Sequence, residues 1–244
     1  MHHLKKTLDK FYSEYNFKER IKHDPIEFPH RYALPDDIEI AGLFASCLAY
    51  GKVGLFKPVI EQILKPAGRH PAGFFKDFDP GRDKKHFQGI SYRFNKEEDV
   101  LCLVYMISHT LKEWGSLKNI FYHYYKPEHE DIKYALEKFS NYFININTSP
   151  VYGKNIKPNG LKQFFPSPES GSACKRLNLF LRWMVRTKDI DLGIWDKISP
   201  SKLIIPLDTH IARISRCLGL TKRKSSDWKT AREITEALKK FDPE

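Results

Sequence analysis

Apolar residues recur at helical spacing along most of this 244-residue chain. In the clearest stretch, GSACKRLNLFLRWMVR, they occupy the i, i+3, i+4, i+7 and i+8 positions of one buried helix face. Similar spacing predicts helices over residues 4–17, 97–111, 130–146 and 229–241. The pattern therefore predicts an all-α fold of about nine or ten helices with minimal strand content. The residues of the clearest face are Leu177, Phe180, Leu181, Met184 and Val185.

Proline and glycine mark the predicted connections between these helices. Residues 66–95 are rich in glycine, proline and charge, which predicts mostly loop with a short extended piece at ISYRF. The proline, glycine and serine residues of segment 148–171 predict a second long connection, which ends in FFPSPESGSA. The second helix is predicted to begin at Asp36 or Asp37, one of which would cap it. Its small apolar residues favour close packing against another helix.

The composition is that of a globular chain, with 41% hydrophobic and 14% aromatic residues. The sequence has no run of about 18 apolar residues, which a membrane helix needs. The N-terminal MHHLKKTLDK lacks the apolar centre of a secretory signal, so we expect a cytoplasmic protein. The four cysteines stand far apart without a CxxC pair, and we therefore expect reduced thiols and no iron–sulfur cluster, metal or cofactor. They are Cys47, Cys102, Cys174 and Cys217.

Positive charge is confined to one part of the chain. Residues 154–240 hold 19 lysines and arginines against 8 acidic residues, whereas the rest of the chain has 22 of each. A concentrated basic surface attracts polyanions, with nucleic acid the leading candidate and an acidic membrane face the lesser one. Scattered solubilising lysines remain the alternative. We predict a mostly helical lobe over residues 1–153, with N-terminal helices that contact both lobes, and a basic lobe over residues 154–244.

Two residues of the basic segment are candidates for chemistry. Lys175 lies off the apolar face of its helix, so the local pattern fits a solvated lysine as well as a lysine in a cleft. Asp208 stands at the predicted N-cap of a helix that ends at Gly219, and a capping carboxylate needs no further role. Neither residue alone indicates a catalytic function.

Together the two stretches resemble the helix-hairpin-helix DNA glycosylases. The run from Gly171 to Asn178 matches the G-x-G-x-K-x-x-N motif of endonuclease III-like enzymes, except that Ala173 replaces the second glycine. The segment PLDTH around Asp208 resembles their aspartate motif. The separation of 33 positions from Lys175 to Asp208 resembles the spacing of archaeal 8-oxoguanine glycosylases. DIEIAGLFASCLAYGKV and YRFNKEED resemble a bacterial family of uncharacterised proteins remotely related to these enzymes.

The resemblance implies two lobes flanking a cleft and base excision with an abasic-site lyase step. Lys175 would attack the sugar C1′ of a flipped nucleotide and form a Schiff base. Asp208 would activate the nucleophile or stabilise the oxocarbenium-like sugar. The partner would be duplex DNA that carries a damaged base. A further packed helix would follow FDPE, where this sequence stops.

The resemblance also implies a DNA-binding surface. The hairpin would present backbone N–H groups to phosphates, and cationic side chains beyond it would add phosphate contacts. A turn early in the chain would lie near the base pocket. The hairpin residues are Gly171, Ser172 and Ala173, the cationic candidates are Arg176, Arg182, His210, Arg213 and Arg216, and the pocket candidates are Ser46, Tyr50, Gly51 and Lys52.

Two other functions fit the same residues. The fold could bind DNA or structured RNA without chemistry, or it could be a helical scaffold for an acidic protein partner. The sequence leaves the damaged base and the oligomeric state open.

Overall fold

A computed structural model describes residues 2–243, and these residues form fourteen α-helices and no β-strand. The all-α prediction is therefore confirmed. Two isolated bridges, Tyr92 to Asn95 and Ser172 to Asp227, are the extended pairings in this range. The helices are α1 His2–Glu14, α2 Phe17–Arg20, α3 Pro35–Leu48, α4 Val53–Leu64, α5 Pro71–Asp77, α6 Pro80–Asp83, α7 Glu97–Trp114, α8 Leu117–Tyr124, α9 Lys133–Asn145, α10 Ser149–Tyr152, α11 Asn159–Lys162, α12 Lys175–Val185, α13 Thr209–Cys217 and α14 Trp228–Lys239.

The prediction of nine or ten helices was too low. Helices α2, α6, α10 and α11 have four residues each, and a single turn is too short to show apolar periodicity. Helix α5 lies inside the stretch predicted as mostly loop. Its first residue is Pro71, which suits the first turn of a helix, and its Phe75 is completely buried. Tertiary burial therefore stabilises a short helix that its proline- and glycine-rich surroundings obscure.

Helix α3 runs through the core of the molecule. It buries twelve of its fourteen residues, and it packs along α12. The small residue Gly42 permits this approach, because a Cβ there would lie 3.0 Å from Met184 and 3.5 Å from Phe180 of α12. The packing of α3 fixes the position of α12, whose first residue is Lys175.

The predicted cap of α3 was wrong. The helix starts at Pro35, its N-cap is Leu34, and that cap residue makes no side-chain hydrogen bond. Asp37 is instead buried within the first turn, where its Oδ1 accepts the N–H of Ala72, 2.8 Å away, at the start of α5. The carboxylate of Asp37, which the local sequence pattern assigned to the N-cap of α3, therefore makes a tertiary contact with α5.

Apolar residues from both predicted lobes belong to one buried cluster, which extends along the chain from Ile26 to Ile234. The proposed division at residues 153 and 154, and the two-lobed glycosylase-like arrangement, stay predictions. Among residues 2–243, no helix combines the length and apolar character that a bilayer span requires.

A buried carboxylate joins α3 to two distant parts of the chain. The oxygens of Glu39 accept the backbone N–H groups of Leu117 and Lys118, at 2.6 and 2.8 Å, where α8 begins. Its Oε1 also accepts the indole N–H of Trp195 at 2.8 Å. Burial raises the pKa of Glu39 to about 7, although these three donors act in the opposite direction.

We predict that Glu39→Gln changes the pH dependence of stability. The pKa of Glu39 is about 7 in the folded chain and 4.5 ordinarily, so its contribution is present below pH 4.5 and lost as pH rises through about 7. Wild type should therefore lose about 2 kcal/mol of stability relative to the variant between roughly pH 5 and pH 8. Urea unfolding at both pH values measures it. Parallel pH profiles would show that Glu39 remains ionised in the folded protein.

Candidate functional site

The fold brings Lys175 and Asp208 together. Nζ of Lys175 lies 3.4 Å from Oδ2 of Asp208, and the two side chains are 35% and 31% exposed. They are therefore neighbours in space, despite their separation in sequence, and both remain accessible from solvent. The sequence could not distinguish this arrangement from two separate surface charges.

The two oxygens of Asp208 have different partners. Oδ1 accepts the backbone N–H groups of His210 and Ile211, each at 2.9 Å, and so caps α13 as predicted. Oδ2 faces Lys175. Partial burial raises the pKa of Asp208, but the hydrogen bond from Ile211 and the charge of Lys175 outweigh burial and leave the pKa below its usual value. Asp208 is therefore an ionised carboxylate at neutral pH, with one oxygen directed at the lysine.

The segment before α12 sets the position of Lys175. Gly171 has a φ of +80°, which glycine adopts readily, and Cys174 has a φ of 48° in the left-handed region. Two hydrogen bonds stabilise this backbone: the N–H of Cys174 donates to Ser172 Oγ at 3.1 Å, and Asn178 Nδ2 donates to the carbonyl of Ala173 at 3.0 Å. The asparagine of the sequence motif therefore closes the hairpin against its own helix.

The hairpin residues differ in accessibility. Gly171 is exposed, but its carbonyl accepts the N–H of Trp228 at 3.2 Å. Ser172 pairs with Asp227 in an isolated bridge. Ala173 is only 8% exposed. The hairpin therefore lies against the start of α14, and even at the exposed Gly171 the backbone N–H already donates to the carbonyl of Pro168 at 2.9 Å.

Arg176 points into the protein. Its guanidinium donates to the carbonyl oxygen of Cys47 at 2.5 Å and to that of Gln163. It also lies over the ring of Tyr50, with Cζ 5.1 Å from the ring centroid. Burial lowers the pKa of Arg176 from its usual value. Arg176 was predicted to contact phosphate. Its donors instead bind carbonyls near the ends of α3 and α11, which is a structural role.

The other predicted cations fall into two groups. Arg182 pairs with Asp191, whose side chain is completely buried, through contacts of 3.0 and 3.1 Å, and so anchors the loop after α12. The side chains of His210, Arg213 and Arg216 are exposed on α13, which begins at the Asp208 cap. The exposed cations next to the candidate pair are therefore those of α13.

The predicted pocket residues do not form one accessible group. Ser46 is completely buried and donates to the carbonyl of Leu43 at 3.0 Å. Tyr50 is half-buried, and its hydroxyl donates to Asn95 Oδ1 at 2.6 Å. Gly51 and Lys52 are exposed in the turn before α4. Ser46 is therefore closed to a ligand, while the turn around Tyr50 lies beside Arg176.

Sequence reasoning missed a tight turn next to Tyr50. Tyr92 and Asn95 pair across it, and Arg93 adopts a φ of 52° at its tip. The Arg93 guanidinium lies 5.7 Å from the Tyr50 ring centroid, and the adjacent Phe94 is 69% exposed. The predicted extended piece at ISYRF covers part of this turn, but its tip lacks the glycine or asparagine that usually signals one.

A cleft next to the hairpin does not include the candidate pair. A cleft of about 590 Å³ is lined by Gly171, Asp227 and α9, and neither Lys175 nor Asp208 lines it. In residues 2–243, no group of three or more histidine, cysteine or acidic side chains is arranged to hold a metal ion. The candidate pair itself consists of an amine and a carboxylate.

Residues 24–244 match the model of a family described as a protein of unknown function, DUF2400. The chain belongs to the DUF2400 family. The match covers both YRFNKEED and the segments that contain Lys175 and Asp208, in agreement with the predicted membership of an uncharacterised family. No curated protein and no solved structure matches the chain. The resemblance of this DUF2400 member to DNA glycosylases therefore depends on its motif residues alone.

We predict that Arg176→Met destabilises the protein. The substitution leaves the buried carbonyls of Cys47 and Gln163 without their donors, and a loss of at least about 2 kcal/mol follows. Arg213→Met, on the exposed face of α13, removes the same charge and should change stability by less than about 0.5 kcal/mol. Urea denaturation measures both variants. Equal stability of the two would contradict the structural role of Arg176.

Proposed function

We propose that this protein excises damaged bases from DNA, with Lys175 as the nucleophile and Asp208 as its carboxylate partner. The observation that carries the proposal is the 3.4 Å contact between Lys175 Nζ and Asp208 Oδ2. These two residue types, in two motifs that resemble those of the glycosylases, are the ones that base excision with a lyase step requires. The partial exposure of both side chains leaves them open to a substrate.

The chemistry begins with the bond between the base and the sugar C1′. As that bond breaks, its electron pair leaves with the base and positive charge develops on the sugar. The ionised Asp208 stabilises this charge through Oδ2, since Oδ1 remains bound to the α13 backbone. Oδ2 is also within reach of the proton that Lys175 must release before it attacks.

Attack by the neutral amine forms a bond between Lys175 Nζ and C1′. Opening of the sugar ring breaks the bond between C1′ and the ring oxygen, which takes up a proton, and leaves a Schiff base between lysine and sugar. Because Lys175 and Asp208 lie on the surface, the nucleotide must leave the base stack to reach them. The exposed cations of α13 support binding of the flanking phosphates.

A second candidate function is nucleic-acid binding without chemistry. The ion pair itself favours this alternative, because a protonated lysine paired with a carboxylate is not a nucleophile. In that case Lys175 contributes one positive charge to the basic surface and Asp208 remains only a helix cap.

We predict that borohydride traps a covalent complex between the wild-type protein and a duplex that contains an abasic site, 8-oxoguanine or uracil. Lys175→Ala should abolish the adduct because no amine remains to form the Schiff base. Asp208→Asn should lower its rate by about 100-fold or more, since asparagine still caps a helix but lacks the charge. Denaturing gels measure the trapped fraction.

Lys224→Ala is the matched control for Lys175→Ala, because it removes an exposed lysine from the same basic segment. It should trap as wild type does. Equal trapping by Lys175→Ala and wild type would exclude Lys175 as the nucleophile. Duplex binding without any adduct or base release would favour the second function.

We predict that duplex affinity falls steeply with salt. A site that contacts phosphates through the α13 cations releases counterions, so the logarithm of the association constant should decrease linearly with the logarithm of salt concentration, by about 0.9 per phosphate neutralised. The double variant Arg213→Gln/Arg216→Gln should reduce this slope by about two. Fluorescence anisotropy measures both slopes. A flat dependence would contradict nucleic-acid binding and favour an acidic protein partner.

A further inference from the structure

Two clefts share a wall on α9. The cleft of about 590 Å³ runs from the Gly171 hairpin and the start of α14 to the middle of α9. A second cleft, of about 540 Å³, continues from the middle of α9 to the residues that follow it. Lys138 and Asn141 line both clefts, so the two clefts adjoin at these side chains, and we name them together the α9 groove. It follows a 13-residue helix and is therefore about 20 Å long.

Aromatic rings and amides line this groove. Tyr134, in the first cleft, is 41% exposed. Tyr124 and Tyr142 are half-buried in the wall of the second cleft. Asn141 and Asn145 lie one helical turn apart on α9 and offer both donors and acceptors. Flat rings beside amides suit unpaired bases, which present a face for stacking and an edge for hydrogen bonds.

The groove contains both cations and carboxylates, among them Glu169, which Asn141 Nδ2 approaches at 3.5 Å. Lys133 pairs with Glu137 at 3.5 Å, and Arg223 pairs with Asp227 at 2.9 Å. In contrast, Lys138 and Lys229 have no ion-pair partner within residues 2–243. Lys138 Nζ lies 5.4 Å from the centroid of the Tyr134 ring. A positive charge and an exposed ring thus lie side by side, as the phosphate and base of one nucleotide require.

We propose that the α9 groove binds a single-stranded segment of the nucleic acid that the Lys175 site acts on. This inference rests on the proposed function. Gly171 lines the groove and precedes Lys175 by four residues, so one end of the groove lies at the hairpin before α12. Paired bases hide their faces, and an acidic peptide would need more than two free cations. An unpaired strand uses the rings, the amides and the lysines together.

The test is fluorescence anisotropy with a labelled single strand of about 12 nucleotides and with the corresponding duplex. Tyr134→Ala should weaken single-strand binding about tenfold or more and duplex binding less than about twofold. Tyr134→Phe keeps the ring and should bind as wild type does. Lys138→Gln/Lys229→Gln should also weaken single-strand binding, whereas Lys65→Gln/Lys76→Gln, which removes two exposed lysines outside the groove, should not.

Four results would overturn the inference. These are wild-type single-strand affinity in Tyr134→Ala, equal loss of single-strand and duplex affinity in Tyr134→Ala, equal loss in the two lysine double variants, and binding of a labelled oligoglutamate that Tyr134→Ala weakens as strongly. The last would assign the groove to an acidic protein segment.

Failure of the groove and failure of the proposed function are separable. If the groove inference alone is wrong, Tyr134→Ala binds the single strand as wild type does while borohydride still traps the protein on an abasic duplex. If the proposed function alone is wrong, no adduct forms while Tyr134→Ala still loses single-strand affinity selectively.

Discussion

The buried guanidinium of Arg176 is the contact on which the geometry of the candidate site depends. It donates to carbonyls near the ends of α3 and α11 and lies over Tyr50. A charge in the interior is costly unless its donors are satisfied, so this residue holds the start of α12 in one place relative to the first half of the chain. The neighbouring Lys175 meets Asp208, with Nζ 3.4 Å from Oδ2.

The site combines structural and chemical requirements in the same residues. Asp208 must cap α13, and the cap orients its other oxygen towards Lys175. Asn178 closes the hairpin that starts α12. Among the arginines predicted to contact phosphate, Arg213 and Arg216 of α13 are exposed, whereas Arg176 and Arg182 make contacts within the fold. Some cations of the basic segment therefore stabilise the fold and are not free to meet a polyanion.

Local sequence patterns predicted the parts of the fold that local forces determine. Apolar periodicity identified α12, and the cap of α13 was recognised at Asp208. The same reasoning failed at Asp37, which binds the N–H of Ala72 in place of capping its own helix, and at α5, which burial of Phe75 stabilises.

Arg176 shows the limit of local patterns most clearly. Nothing in its neighbours distinguishes an arginine that faces phosphate from one that binds carbonyls contributed by residues 47 and 163. The proximity of Lys175 to Asp208 followed from resemblance to known motifs, because periodicity carries no information about contacts between segments 33 residues apart.

The proposed function requires that Lys175 is the amine that reacts with the sugar. Peptide mass mapping after borohydride reduction on an abasic duplex tests it most directly, because reduction converts the Schiff base into a stable secondary amine on the residue that formed it. We expect the sugar-derived mass on the peptide that contains Lys175 and on no other lysine peptide. Labelling of another lysine, or an unmodified Lys175 peptide in protein that binds the duplex, would contradict it.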